Sequence, residues 1–107
     1  MADGMMIEPK VLVELLKQTG KLLLLDCREP WEHQTARIEG STLIPMKEIP
    51  GRLHEIPQDR QVIVYCHAGM RSLDVASWLR KQGVDAQSLS GGIDRWSREI
   101  DPKVPRY

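Results

Sequence analysis

Val62-Ile63-Val64-Tyr65-Cys66-His67-Ala68-Gly69-Met70-Arg71-Ser72 carries the reading of the fold. Gln61 to Tyr65 is β-branched and aromatic, the composition of a buried strand, and Asp59-Arg60 leads into it with polar residues. Leu73, Ala76 and Leu79, widened by Val75 and Trp78, make one apolar helical face, with Ser72 suited to its N-cap and Gly83 to its stop. Between strand and helix, Cys66 to Arg71 forms a short loop containing glycine. A strand that empties through a short loop into a helix is the unit of a mainly parallel sheet wrapped by helices.

Working towards the N-terminus, Leu22-Leu23-Leu24-Leu25-Asp26 reads as a second strand, buried on both faces because it does not alternate. Before it, Val11, Leu12, Leu15 and Leu16 recur at helical spacing between Glu8 and Gly20, with Pro9 in the first turn. After it, Pro30-Trp31-Glu32-His33-Gln34 opens a short helix, and Thr42-Leu43-Ile44 follows Gly40-Ser41 as a short strand. Ile49, Leu53 and Ile56 place one or two helical turns among Pro45, Pro50 and Pro57. Towards the C-terminus come a strand at Ala86 to Leu89, a turn at Ser90-Gly91-Gly92, a helix at Ile93 to Glu99 and a proline-bearing tail from Asp101. Ligands of such sheets bind beyond the carboxyl ends of the strands, where Cys66 lies.

Composition narrows the function. At 107 residues the chain fits one domain, residues 1–107, and not two. Fifteen Lys and Arg balance fifteen Asp and Glu, so no basic excess exists to hold nucleic-acid phosphates. Hydrophobic residues at 41% and charged residues at 28% describe neither a disordered nor a membrane-embedded chain. The apolar run Leu22 to Leu25 is far short of the ~20 residues that span a bilayer. Met1 to Pro9 has neither a basic start nor an apolar stretch, which reads as untargeted and cytoplasmic. The two cysteines, Cys27 and Cys66, make no disulfide framework, and no Cys or His pair has zinc-ligand spacing, so neither metal nor organic cofactor is expected.

The loop from Cys66 to Arg71 is where chemistry is expected. Successive backbone N–H groups in a tight loop converge on one point, and a helix N-terminus adds partial positive charge there. Such a cradle binds an anion or stabilises a thiolate, the nucleophilic form of cysteine. Arg71 closes the loop with a fixed positive charge. The competing reading makes Cys66 a buried small hydrophobe and Arg71 a solvated surface charge.

These residues also carry a resemblance. Leu25-Asp26-Cys27-Arg28-Glu29-Pro30 with Trp31-Glu32, Ile38-Glu39-Gly40-Ser41 leading to Ile44-Pro45, Val62 to Cys66, Gly69-Met70-Arg71-Ser72, Leu89-Ser90-Gly91-Gly92 and Trp96 stand in the order and spacing of the rhodanese family. The chain resembles a single-domain member of that family of sulfurtransferases. The resemblance implies an α/β fold with a five-stranded, mainly parallel sheet and helices on both faces. It implies that Cys66 takes a sulfane sulfur from a small donor (thiosulfate, polysulfide or a low-molecular-weight persulfide), becomes a persulfide and passes the sulfur to a thiophilic acceptor. The loop amides of His67, Ala68, Gly69, Met70, Arg71 and Ser72 would hold the anionic sulfur, and Arg71 the loop and the donor. Relatives that act on phosphate or arsenate carry one more residue between Cys and Arg; the four here favour sulfur. A second function class is a sulfur-carrier or protein-binding module serving a relay partner. The tail Asp101 to Tyr107 supports it by resembling the ends of rhodanese domains fused to adenylating enzymes. Arg37-Ile38-Glu39-Gly40 departs from a common His-Ile-Pro-Gly segment, which bears on local packing more than on the nucleophile.

Other residues are weighed beside the loop. Asp26 and Arg28 stand either at a pocket rim or in a structural ion pair that anchors their loop, the latter favoured. Cys27 reads as a core residue, with a resolving role as the sharper alternative. His67 either tunes the site or faces solvent, while His33 and His54, without partners at ligand spacing, read as surface residues. Trp31, Trp78 and Trp96 read as packing residues, Trp96 with the option of covering one side of the pocket. Gly91 and Gly92 are expected to turn with positive φ beside the loop.

Overall fold

In the computed structural model, which describes residues 4–18 and 22–107, five strands form one sheet in which every pairing is parallel. The strands are β1 (Met6–Ile7), β2 (Leu22–Asp26), β3 (Thr42–Leu43), β4 (Gln61–Tyr65) and β5 (Asp85–Leu89), in the spatial order β1-β5-β4-β2-β3. The helices are α1 (Pro9–Lys17), α2 (Pro30–Thr35), α3 (Met70–Lys81) and α4 (Gly92–Glu99), with 3₁₀ turns at Met46–Glu48 and Pro50–Glu55 among the prolines.

The expected elements are present, with three differences. The sheet is parallel throughout. Its edge strand β1 has no counterpart in the sequence reading, because two residues with one side chain exposed carry no periodicity; pairing of Met6 with Ser88 and Ile7 with Leu89 defines it. Helix α3 begins at Met70, with Gly69 and not Ser72 in the cap position. The expected stop of α1 at Gly20 lies outside the described residues.

Alternation of side chains gives the sheet two apolar faces. Leu25, Cys27, Val62, Val64, Cys66 and Ala86 point one way and pack under α3, through Val75, Ala76 and Leu79, and under Ile49 and Ile56 of the proline-rich segment. Leu24, Ile63, Tyr65 and Leu89 point the other way, against Leu12 of α1, Ile93 and Trp96 of α4, Ile38 and, from the tail, Val104. The Arg37 to Gly40 segment still turns: Ser41 N–H donates to the Ile38 carbonyl at 3.2 Å, and Gly40 has φ +85°. No described helix is long and apolar enough to cross a membrane.

Because all strands run the same way, the loops after β2, β4 and β5 leave one edge of the sheet. The chain moves outward from β2 to β3 and returns on the other side of β2 as β4. The reversal opens a crevice between the ends of β2 and β4, the place where open α/β sheets take their ligands. Cys27 and Cys66 flank it.

Candidate active site

Strand β4 is central, so its buried, β-branched run carries Cys66 rigidly to the sheet edge, where the residue is 1% exposed. The Gly69 N–H reaches Cys66 Sγ at 3.1 Å and the Ser72 N–H at 3.3 Å. Both are among the amides that a helix start leaves unpaired. No side chain caps α3. The cysteine sulfur stands where the oxygen of an N-cap side chain would, which explains why Ser72 is not needed as the cap. Its hydroxyl instead lies 3.4 Å from Sγ and 2.7 Å from Ser88 Oγ, tying the first turn of α3 to β5.

The loop keeps this shape because its carbonyls are taken by α4. Ile93 N–H donates to the Cys66 carbonyl at 2.9 Å and Asp94 N–H to that of His67 at 3.0 Å, so the first amides of α4 hold the loop carbonyls outward. That close approach requires glycine. A Cβ at Gly92, where φ is +60°, would fall on the carbonyl oxygens of Cys66 and His67. Gly69 has φ +106°, and a Cβ on it would come within 3.2 Å of the Gly91 amide nitrogen. Gly91 and Gly92 both turn with positive φ, as expected.

Arg71 holds the loop through a partner the sequence reading missed. Its guanidinium grips Glu32 of α2 in two bonds, 2.8 and 2.9 Å, so the start of α3 is clamped to α2. Glu32 also accepts the Glu29 N–H at 2.9 Å, closing a capping box on α2, and the Tyr107 hydroxyl at 2.8 Å. Arg71, then the capping bond, hold the Glu32 carboxyl down to about 2 in spite of its burial. Burial pushes the Tyr107 hydroxyl up to about 12, so it stays protonated and donates to Glu32 while accepting from Arg28 at 2.7 Å.

Asp26 and Arg28 are not at a rim. Both side chains are fully buried as an ion pair, Arg28 Nη2 to Asp26 Oδ2 at 2.8 Å and Nε to Oδ1 at 2.9 Å, with a further bond from Nη2 to the Ala36 carbonyl. A buried guanidinium demands partners for its N–H groups, and these bonds, with the one from Nη1 to the Tyr107 hydroxyl, supply four of the five. His33 is likewise not a plain surface residue: its Nδ1 lies 2.8 Å from Asp26 Oδ2. His54 is exposed, as expected.

Around the loop the side chains diverge from expectation. Met70 is 77% exposed and Trp31 60%, so Trp31 is no packing residue; it meets the edge of Tyr107 at 5.8 Å. His67 meets the same ring edge-on, with centroids 4.4 Å apart, and its Nδ1 is buried without a hydrogen-bond partner. Trp78, on α3 itself, is half-buried against the core beneath that helix, and Trp96 is buried on the opposite face of the sheet from Cys66 rather than over it. The Glu29-x-x-Glu32 capping pattern was the available signal for Glu32; nothing local pointed to Ser88 or Tyr107.

Cys27 has a different setting. Its thiol donates to the Tyr65 carbonyl at 3.5 Å, and burial, then the neighbouring Cys66 and Asp26, push it far above the usual cysteine range. It stays a neutral thiol at pH 7. Among the described residues no group of three or more His, Cys, Asp or Glu could hold a metal ion. Two cavities, of about 540 and 230 Å³, lie away from the loop, neither lined by residues 66–72. What surrounds the Cys66 sulfur is two backbone N–H groups and the Ser72 hydroxyl, a set of polar groups suited to an anionic sulfur.

The family model of a rhodanese-like domain matches residues 8–99. A sulfurtransferase of Allochromatium vinosum is 39% identical over 99 residues, covering 92% of this chain and 92% of its own length. The probable adenylyltransferase/sulfurtransferase MoeZ of Mycobacterium tuberculosis is 37% identical over 109 residues, covering 99% of this chain. The chain spans only 28% of that relative's length. Among solved structures, a rhodanese-related protein from Thermoplasma volcanium superposes with a TM-score of 0.83 at 30% identity, over 94% of this chain and 97% of its own.

Proposed function

The chain belongs to the rhodanese-like domain family, and from that premise we propose that residues 1–107 act as a sulfurtransferase working through a persulfide on Cys66. The observation that carries this reading is the pair of amides, Gly69 and Ser72, aimed at Cys66 Sγ from the N-terminus of α3. They favour negative charge on sulfur.

The cycle has two steps. The Cys66 thiolate attacks the outer sulfur of thiosulfate, the S–S bond of the donor breaks, and sulfite leaves with the bonding electrons. A thiophilic acceptor such as cyanide or a thiol then attacks the outer sulfur of the persulfide and regenerates the thiolate. The amides meet the thiolate sulfur that opens the cycle and that returns at its end without rearranging, which is how a preorganised cradle lowers a barrier. Arg71, engaged by Glu32, positions the loop and presents its charge at the entrance. Four residues between Cys66 and Arg71 leave room for one added sulfur atom and little for a tetrahedral phosphoryl group.

A second reading, delivery of the sulfur to a relay protein, is favoured by the likeness to MoeZ and by the ring of exposed Trp31 and Met70 beside the loop. The same experiment serves both. Protein treated with thiosulfate and freed of excess donor should gain ~32 Da on Cys66, one sulfur atom, which cyanide discharges as thiocyanate. No gain from thiosulfate, polysulfide or a loaded cysteine desulfurase would overturn the proposal.

A further inference from the structure

The cycle leaves one thiol unused. The ladder between β2 and β4 pairs Leu24 with Ile63, Leu25 with Val64 and Asp26 with Tyr65, so its continuation sets Cys27 opposite Cys66. The strands are still joined there, since Cys27 N–H donates to the Tyr65 carbonyl at 3.1 Å. Paired strands lie ~4.8 Å apart, inside the window of roughly 4.4–6.8 Å between Cα atoms that a disulfide accepts. Both side chains also emerge on the same face: Leu25, Cys27, Val64 and Cys66 all belong to the core under α3. The Cys27 sulfur leans across the gap, its thiol bonded to the residue that precedes Cys66. Both cysteines are free.

We propose that Cys27 is a resolving thiol: when no acceptor arrives, its Sγ attacks Sγ of the Cys66 persulfide, releases the outer sulfur as hydrosulfide and closes a Cys27–Cys66 disulfide. This rests on the persulfide reading above. The bond between Cys66 Sγ and the outer sulfur breaks, and the bond between the two cysteine sulfurs forms. The outer sulfur departs with the electron pair and is reduced, the Cys27 sulfur is oxidised, and Cys66 Sγ, which exchanges one S–S bond for another, keeps its oxidation state. The proton of the Cys27 thiol passes to the departing sulfur, so one anion enters, the persulfide, and one leaves, HS⁻. No outside oxidant is required.

The amides of Gly69 and Ser72 hold Cys66 Sγ, the sulfur under attack, in place, so they position it for this step as they do for transfer. Because burial keeps Cys27 a neutral thiol, its attack is slow beside that of a dissolved nucleophile, and transfer prevails whenever an acceptor is present. A dithiol reductant reopens the disulfide. The net result is a further activity, reduction of sulfane sulfur to sulfide at the expense of a dithiol.

The test compares the wild-type protein with Cys27→Val, and with Cys27→Ala as a second variant should valine not be accommodated. Each is loaded with thiosulfate, freed of donor and reductant, and followed for released sulfide and by non-reducing peptide mapping. The wild type is expected to gain one sulfur, then release about one sulfide per chain as a peptide joining Cys27 to Cys66 appears. The variants are expected to hold their sulfur until cyanide removes it. A wild-type protein that keeps a cyanide-dischargeable sulfur, with neither sulfide nor linked peptide, overturns the resolving role and leaves sulfur transfer standing. If no protein gains sulfur from thiosulfate or polysulfide, both readings fall together.

Discussion

Two cysteines end neighbouring strands on the same face of the sheet, each 1% exposed, and their surroundings differ in kind. Cys66 Sγ meets two amide N–H groups at the start of a helix. Cys27 Sγ meets a carbonyl oxygen and apolar neighbours. The first arrangement welcomes a negative sulfur and the second refuses one. Equal burial therefore leaves the two thiols in different fields, because the dipoles pointed at the two sulfurs have opposite sign.

The sharpest way to break that contrast is to remove the sulfur from the cradle. Cys66→Ser is expected to drop sulfur transfer to background while circular dichroism and the thermal midpoint stay near those of the wild type; appreciable turnover would show that Cys27 or another group suffices. Next, Gly92→Ala should disrupt the cradle with the nucleophile intact, since its methyl would fall on the carbonyls of Cys66 and His67. We expect a loss of about 2–4 kcal/mol in denaturant unfolding, together with loss of persulfide formation.

Glu32→Gln loosens the clamp on Arg71 without touching the cradle. A carboxyl held at about 2 when folded, against about 4.5 when free, stabilises the fold fully above pH 4.5. That contribution fades as pH falls from 4.5 through 2, because the unfolded chain binds the proton first. It amounts to at most about 3 kcal/mol, less to the extent that water screens the half-buried Arg71. Acid unfolding of the variant should lack this component, and an unchanged acid profile would count against the clamp. Smallest of all, Cys27→Val keeps shape and apolarity, so its unfolding free energy should shift by less than about 1.5 kcal/mol.

Legibility in the sequence followed the range of the interactions. β4, β2 and the apolar face of α3 were readable because each is written in consecutive or helically spaced residues. The pairing of Asp26 with Arg28 was foreseeable, two residues apart, although its complete burial was not. Arg71 with Glu32, and Tyr107 with Arg28, join residues far apart in the chain; the capping pattern marks Glu32 locally but not its reach to Arg71, and nothing local distinguishes Tyr107 from a surface residue. Trp31 misled because a large aromatic side chain is usually buried, whereas here it stands beside the loop in solvent. Ser72 misled because a serine before an apolar run suits a cap. Its competitor for that role was the Cys66 sulfur, which only the folded loop brings to the helix end.

By itself, then, the order of residues determined a mainly parallel α/β sheet, a cysteine at the end of its clearest strand and a loop of four residues before Arg71. These follow from local propensity and from the rule that successive parallel strands expose their carboxyl ends together. Only the tertiary structure decided which amides face the sulfur, which carbonyls α4 draws away, and that a second thiol stands across the strand gap. Those outcomes depend on the orientation of peptide units and on pairings between distant segments, and packing chooses them after the chain has folded.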